Sequence, residues 1–229
     1  MLEVVDLHAG YGPIDVVHGV SFTVPDHSVF AVMGHNGAGK TTLLKTLLGL
    51  LPARSGTVTF GGENITKTKT HQRVAKGMAY VPQGQLSFPQ LSTFENLQLV
   101  ADGRTNGTAK IEEMFTRFPA LKKFETRKAG LLSGGQRQQL SIARALITEP
   151  KLIILDEPTE GIQPNIVAEI EELVISLAAS GLSVLLVEQH VSFALTAAAG
   201  YAVMASGYVT STGEGGSAAV GSVMAAMTI

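Results

Sequence analysis

Cysteine and tryptophan are absent from this chain of 229 residues, aromatic residues reach only 6%, and charged residues only 16%. Without cysteine there is no disulfide framework, no Cys-ligated zinc and no thiol nucleophile. Seventeen basic residues against 19 acidic ones give a net charge of -2. Such a balance supplies no basic face for sequence-independent binding of nucleic acid, so no nucleic-acid partner is expected. Long apolar runs are missing too. Leu152–Leu155 and Val184–Val187 fall far short of the roughly 20 residues that cross a bilayer. The opening Met1-Leu2-Glu3-Val4 has neither the basic nor the apolar region of a signal peptide. A cytoplasmic location is expected, with any membrane role exercised through a partner.

What is present is a hydrophobic share of 45%, which suits a well-buried sheet and leaves room for a partner-facing apolar surface. The length suits one large α/β domain with an inserted lobe, and not two independent cores. Leu2–Leu7 and Val20–Val24 read as short strands. Val29–Met33 is a continuous apolar run ending at Gly34, the pattern of a buried central strand. Thr41–Leu51 repeats leucine at helical spacing, with Pro52 as the expected stop. Gly56–Phe60 alternates into Gly61-Gly62, a hairpin signal. From Gln85 to Gly130 the composition turns mixed, with helical patches at Phe94–Val100 and Ala109–Phe118 joined by a loop, Gly103–Gly107. A helical lobe is expected there. Gln136–Ile147, Lys151–Leu155, Asn165–Ala179 and Ser183–Glu188 then alternate helix and strand, as a parallel sheet requires. The tail after Gly213 carries no assigned chemistry, and no solenoid repeat is visible.

Three motifs carry chemistry. Gly34-His35-Asn36-Gly37-Ala38-Gly39-Lys40-Thr41-Thr42 satisfies the phosphate-loop pattern GxxxxGK[ST] between a buried strand and a helix. Glycines let successive N–H groups face phosphate oxygens, Lys40 neutralises the β- and γ-phosphates, and the Thr41 hydroxyl ligates magnesium. The plain alternative is a glycine-rich turn that matches by chance. Lys151-Leu152-Ile153-Ile154-Leu155-Asp156-Glu157-Pro158 ends an apolar strand in two carboxylates, where ligands bind open α/β sheets. Asp156 is expected to hold magnesium through water and Glu157 to polarise the attacking water; otherwise the pair opens a solvated turn. Leu132-Ser133-Gly134-Gly135-Gln136 sets a Ser-Gly-Gly turn before a helix, either a second anion cradle without a lysine or a plain N-cap by Ser133. A second cradle makes sense when it closes over nucleotide held by another copy.

In this order and spacing the motifs resemble the nucleotide-binding subunit of ABC transporters over nearly the whole chain. The resemblance implies an α/β P-loop NTPase with a RecA-like core, an antiparallel β-subdomain and an inserted helical subdomain. Residues 1–84 and 132–229 would form core and β-subdomain, and residues 85–131 the helical subdomain. It implies ATP and Mg2+ as cofactors and a head-to-tail dimer that closes on ATP. Ser133, Gly134, Gly135 and Gln136 would then meet the nucleotide of the partner. Tyr11, in Ala9-Gly10-Tyr11-Gly12, matches the aromatic that stacks on adenine, its alternative being a surface tyrosine of the first hairpin. Gln83 matches the glutamine that touches magnesium and the attacking water. The family usually has a histidine after the strand ending at Glu188, and this chain reads Glu188-Gln189-His190. Counting back from Tyr201-Ala202-Val203 puts Gln189 in that slot, with His190 as the rival; a glutamine can donate a hydrogen bond but cannot shuttle a proton. Gln163 replaces an aspartate common in relatives.

Thr159–Pro164 together with His71–Gly84 is similar to urea-transporter ATPases and, more loosely, to one ATPase of branched-chain amino-acid importers. Gln85 stands where those relatives carry arginine. The resemblance implies transmembrane permease subunits, a second ABC ATPase as heterodimer partner with homodimer as alternative, and an extracytoplasmic solute-binding protein. The subunit would lie on the inner face of a bacterial membrane. The permease would dock near Gln83–Phe94, unless Leu86, Phe88 and Leu91 are core of the lobe. A P-loop kinase or GTPase would lack the Ser-Gly-Gly-Gln turn. ABC ATPases of repair or translation usually carry coiled-coil insertions or tandem cores, for which this chain has no room.

Overall fold

The computed structural model describes residues 1–227. Strands β1 (Leu2–Tyr11) and β2 (Ile14–Val24) form a hairpin, followed by β3 (Val29–Met33), helix α1 (Lys40–Leu47), β4 (Ser55–Phe60), β5 (Glu63–Asn64), α2 (Thr70–Ala75) and β6 (Met78–Val81). Three helices come next, α3 (Thr93–Ala101), α4 (Gly107–Arg117) and α5 (Pro119–Lys123), then α6 (Gly134–Leu146). The chain ends as β7 (Leu152–Asp156), α7 (Pro164–Ala179), β8 (Ser183–Glu188), α8 (Val191–Ala197), β9 (Gly200–Ala205), β10 (Tyr208–Glu214) and α9 (Val220–Met227).

Two sheets result. One is antiparallel, in the order β2-β1-β4-β5. The other runs β10-β9-β3-β8-β7-β6, parallel throughout except at its β10 edge. Alternation within the parallel strands divides the core. Phe30 and Val32 join Leu43, Leu44, Leu47 and the antiparallel sheet on one face. Ala31 and Met33 join residues of α6, α7 and α8, together with Leu97, Ile111 and Leu121 of the three-helix segment, on the other. A sheet covered on both faces explains why its strands read as continuous apolar runs.

Several boundaries differ from the sequence expectation. The first hairpin has strands of 10 and 11 residues, much longer than Leu2–Leu7 and Val20–Val24. Register shifts around Leu7 and Ala9 interrupt the two-residue alternation, and Asp6 takes φ 48 there, its N–H donating to Ser21 Oγ. Helix α1 stops before Gly49, not at Pro52. Gly49 has φ 74; its N–H donates to Thr46 O and that of Leu50 to Lys45 O. This is a left-handed glycine cap, which ends a helix whatever the later leucines suggest. The short α2, the short β6 and α9 gave no periodic signal. From α2, the buried Arg73 reaches Thr46 O and Leu47 O at 2.9 and 2.6 Å and neutralises the C-terminal end of α1.

The segment holding α3, α4 and α5 leaves and rejoins the chain at one point. A bridge pairs Ser92 with Lys128, and the Ala129 N–H donates to Leu91 O. Among the described residues, no helix is long and apolar enough to cross a membrane.

Candidate functional site

The phosphate loop, the Asp156-Glu157 pair, Gln83 and Gln189 each lie at or just beyond the end of a strand, and those strands are neighbours, whereas Ser133–Gln136 opens α6. β3, β8, β7 and β6 lie side by side and parallel, with Met33 opposite Glu188, Val187 opposite Asp156 and Leu155 opposite Val81. Their carboxyl ends therefore emerge in one row. The phosphate loop leaves β3, Glu157 follows Asp156, Gln189 follows Glu188, and Gln83 lies two residues beyond β6.

Gly39 turns the phosphate loop into α1 at φ 99, a conformation that disfavours any side chain. Behind it Lys40 is 6% exposed. Its ammonium donates to Gly34 O at 2.6 Å and His35 O at 3.2 Å, and pairs with Glu157 Oε1 at 3.1 Å. Glu157 also accepts from Gln83 Nε2 at 3.3 Å, and the same amide donates to the Glu160 carboxylate. Thus Lys40, Glu157 and Gln83, separated along the chain, form one polar chain. Glu157 occupies φ 45, rare for a residue with a side chain, and its N–H is tied to Val187 O at 2.8 Å.

Asp156 is buried beside this chain and accepts from the Tyr80 hydroxyl at 2.9 Å. Burial pushes the Asp156 carboxyl above its usual range, opposed by the Tyr80 hydrogen bond. Burial, then the Asp156 charge, pushes the Tyr80 hydroxyl far up as well. Such a group holds its proton and serves as a donor. Burial likewise raises the carboxyl of Glu188, which is 1% exposed, and hydrogen bonds from Thr159 and from the backbone of His190 and Gln189 oppose that shift.

The remaining predicted residues stand apart from this chain. Within the phosphate loop Ala38 is buried, while His35, Asn36 and Gly37 are exposed; Thr41 is exposed and Thr42 buried. Gln189 and His190 are both exposed and line one pocket with His35, Met224 and Met227. His35 Nε2 donates to Met227 O at 2.8 Å, so the tail reaches the phosphate loop. Tyr11 ends β1, 45% exposed, with the Lys45 ammonium 5.7 Å from its ring centre. Ser133 caps α6: its hydroxyl accepts from the Gln136 N–H, and Gln136 Oε1 accepts from the Ser133 N–H. The N-cap reading is thus physically present, and it leaves the Gly134 and Gly135 N–H groups at a helix start. Among the described residues, no hydrogen bond or ion pair joins Ser133–Gln136 to the phosphate loop of the same chain. Sequence reasoning missed Tyr80, Thr159, Glu160 and Glu188; only Glu188 left a signal, as a charge closing an apolar strand.

The donor set suits nucleotide and magnesium. A buried lysine whose partners are oxygens can exchange them for phosphate oxygens. A desolvated aspartate fits a hard cation held by one carboxylate, waters and substrate phosphates. Among the described residues, no cluster of three His, Cys, Asp or Glu side chains forms an all-protein cage.

Comparison with known proteins places the chain in a family. The ABC transporter family model matches residues 17–160. The chain is 38% identical to the probable branched-chain amino acid transport ATP-binding protein LivF of Archaeoglobus fulgidus, covering 93% of this chain and 92% of that protein. It is 37% identical to the high-affinity branched-chain amino acid transport ATP-binding protein BraG of Pseudomonas aeruginosa, over 81% and 80%. A solved ATP-binding cassette of an ABC transporter in its ADP conformation superposes with TM-score 0.87 at 29% identity, covering 98% of this chain and 94% of the other. The chain belongs to the ABC transporter family, as an ATP-binding subunit that hydrolyses ATP to power transport.

Proposed function

We propose that this subunit energises an importer of branched-chain amino acids, working as one half of an ATP-closed dimer on the inner face of the membrane. The observation that carries the catalytic part is the contact chain from Lys40 through Glu157 to Gln83 at the shared strand edge. Lys40 and the phosphate-loop amides bind the β- and γ-phosphates, and Tyr11 stacks on adenine. Thr41, Asp156 and Gln83 hold magnesium, which when bound screens phosphate charge. Glu157 orients the attacking water and takes its proton, while Gln189 donates a hydrogen bond toward the γ-phosphate. Ser133, Gly134, Gly135 and Gln136 complete the site of a second ATPase subunit, a heterodimer partner.

Residues 85–131 form the helical subdomain in this reading, set on a core and β-subdomain of residues 1–84 and 132–229; residues 228–229 lie outside the described structure. The permease seat is the groove lined by Tyr80, Pro82, Leu86, Phe88, Val100 and Arg144. Leu86 and Phe88 are 57% and 48% exposed, which supports a surface role over a core role. The Arg144 guanidinium covers the Phe88 ring at 4.9 Å.

The cargo class rests on the likeness to LivF and BraG. Urea is the second reading, favoured by Thr159–Pro164 and His71–Gly84. Uptake of labelled leucine and labelled urea in a strain deleted for this chain separates the two. Loss of leucine uptake with urea uptake intact supports the amino-acid reading. The reverse assigns urea, and no change in either overturns both. At the switch position, Gln189→Ala is expected to lower ATP turnover ~10-fold while His190→Ala keeps it, the scale of one transition-state hydrogen bond. Steady-state hydrolysis assays check this, and the opposite ranking moves the role to His190.

A further inference from the structure

Glu188 closes β8 and is 1% exposed, yet the reaction as described gives it no task. Its carboxylate is fully engaged. Oε1 accepts from the Thr159 N–H at 3.3 Å and the Thr159 hydroxyl at 2.8 Å. Oε2 accepts from the backbone N–H groups of Gln189 and His190 at 3.0 and 3.3 Å. One side of the carboxylate therefore holds the loop after β7, and the other holds the loop after β8.

The first of those loops carries Glu157, two residues before Thr159. The Glu157 N–H is itself bound to Val187 O, the residue before Glu188. A left-handed backbone at Glu157 persists only where the surroundings over-determine it. The two ties from the end of β8, one to Glu157 and one to Thr159, supply that constraint. The second loop carries Gln189. We infer that Glu188 is a positioning residue for hydrolysis, a carboxylate clamp that keeps the Glu157 loop and the Gln189 loop in one mutual arrangement. This rests on the roles given above to Glu157 and Gln189.

The chemistry requires a carboxylate. All four donors point at Glu188, and only an ionised carboxylate accepts on both oxygens. An amide keeps one oxygen and turns an NH2 toward donors. The Gln189 and His190 partners are backbone N–H groups that can only donate, whereas the Thr159 hydroxyl can turn and accept. Glu188→Gln is therefore expected to keep its oxygen on the Gln189 loop and loosen the Thr159 side.

The test uses the full chain. Glu188→Gln and the isosteric Thr159→Val are expected to lower kcat ~10- to 100-fold, the scale of a small misplacement of a reacting group. The KM for ATP and affinity for a non-hydrolysable ATP analogue should stay within about twofold, because the phosphate loop is untouched. The double variant should be no slower than Glu188→Gln alone, since both remove the same contact. A parental kcat in either single variant overturns the clamp. So does a parallel loss of kcat, analogue affinity and Tm, which marks a purely structural role. Should Glu188→Gln fail to fold, the kcat of Thr159→Val decides. The underlying reading fails separately: if Glu157→Gln hydrolyses ATP at the parental rate, Glu157 is not the base, whereas an inactive Glu157→Gln beside a fully active Glu188→Gln overturns the clamp alone.

Discussion

Replacing Glu157 by glutamine is expected to leave ATP binding intact and to lower turnover by roughly 10²- to 10⁴-fold, the usual contribution of a general base. Glutamine has the same shape and keeps one oxygen for Lys40, now 3.1 Å from Glu157 Oε1, while its NH2 takes the place of Oε2, which now accepts from the Gln83 amide at 3.3 Å. It keeps the tie to Val187 O, because that bond uses only the backbone. What it loses is the ability to take a proton from water. Removing a negative charge beside the phosphates cannot weaken their binding, so nucleotide affinity should hold or rise. The ATP-closed dimer should therefore accumulate and appear by size-exclusion chromatography in ATP. Hydrolysis at the parental rate would strip Glu157 of the base role.

Lys40→Ala should act on binding first. The ammonium is 6% exposed, and its partners are Gly34 O, His35 O and the Glu157 carboxylate. In the proposed ATP complex phosphate oxygens take the place of these partners. Hydrogen bonds to charged groups contribute about 1.5–3 kcal/mol each, so losing even one lowers ATP affinity about 10- to 100-fold. Alanine also leaves the Glu157 carboxylate without its cation beside the phosphate loop, and that unpaired negative charge acts against phosphate binding in the same direction. Titration calorimetry with ATP measures the effect. An unchanged Kd would remove the phosphate-binding role of Lys40.

Much of the fold was legible because local and global preferences agree. Val29–Met33 and Ser183–Glu188 have the expected bounds, since a strand buried on both faces is apolar along its middle; only the terminal Ser183 and Glu188, both hydrogen-bonded, depart from that. Boundaries were misread where a single backbone position overrides periodicity. Gly49 ends α1 although the leucine spacing continues to Leu51, and the register shifts near Leu7 hide half of the first hairpin. Short elements such as α2 and β6 are too brief for a period to register, and tertiary bonds such as those of Arg73 hold the former in place.

The candidate site divides in the same way. Gly34–Thr42, Asp156-Glu157 and Ser133–Gln136 are contiguous patterns, so their residue types and spacing alone declare phosphate and carboxylate chemistry. The amino-acid order by itself determined the fold class and the membership of an ATP-binding family, because a phosphate loop is built from consecutive backbone amides. Only the tertiary structure decided that Lys40 meets Glu157, that Gln83 joins them, that Tyr80 donates to Asp156, and that Glu188 spans two loops. Those contacts join residues up to 117 positions apart, as in Lys40 to Glu157. They exist because β3, β8, β7 and β6 align their carboxyl ends in an order that the chain does not follow.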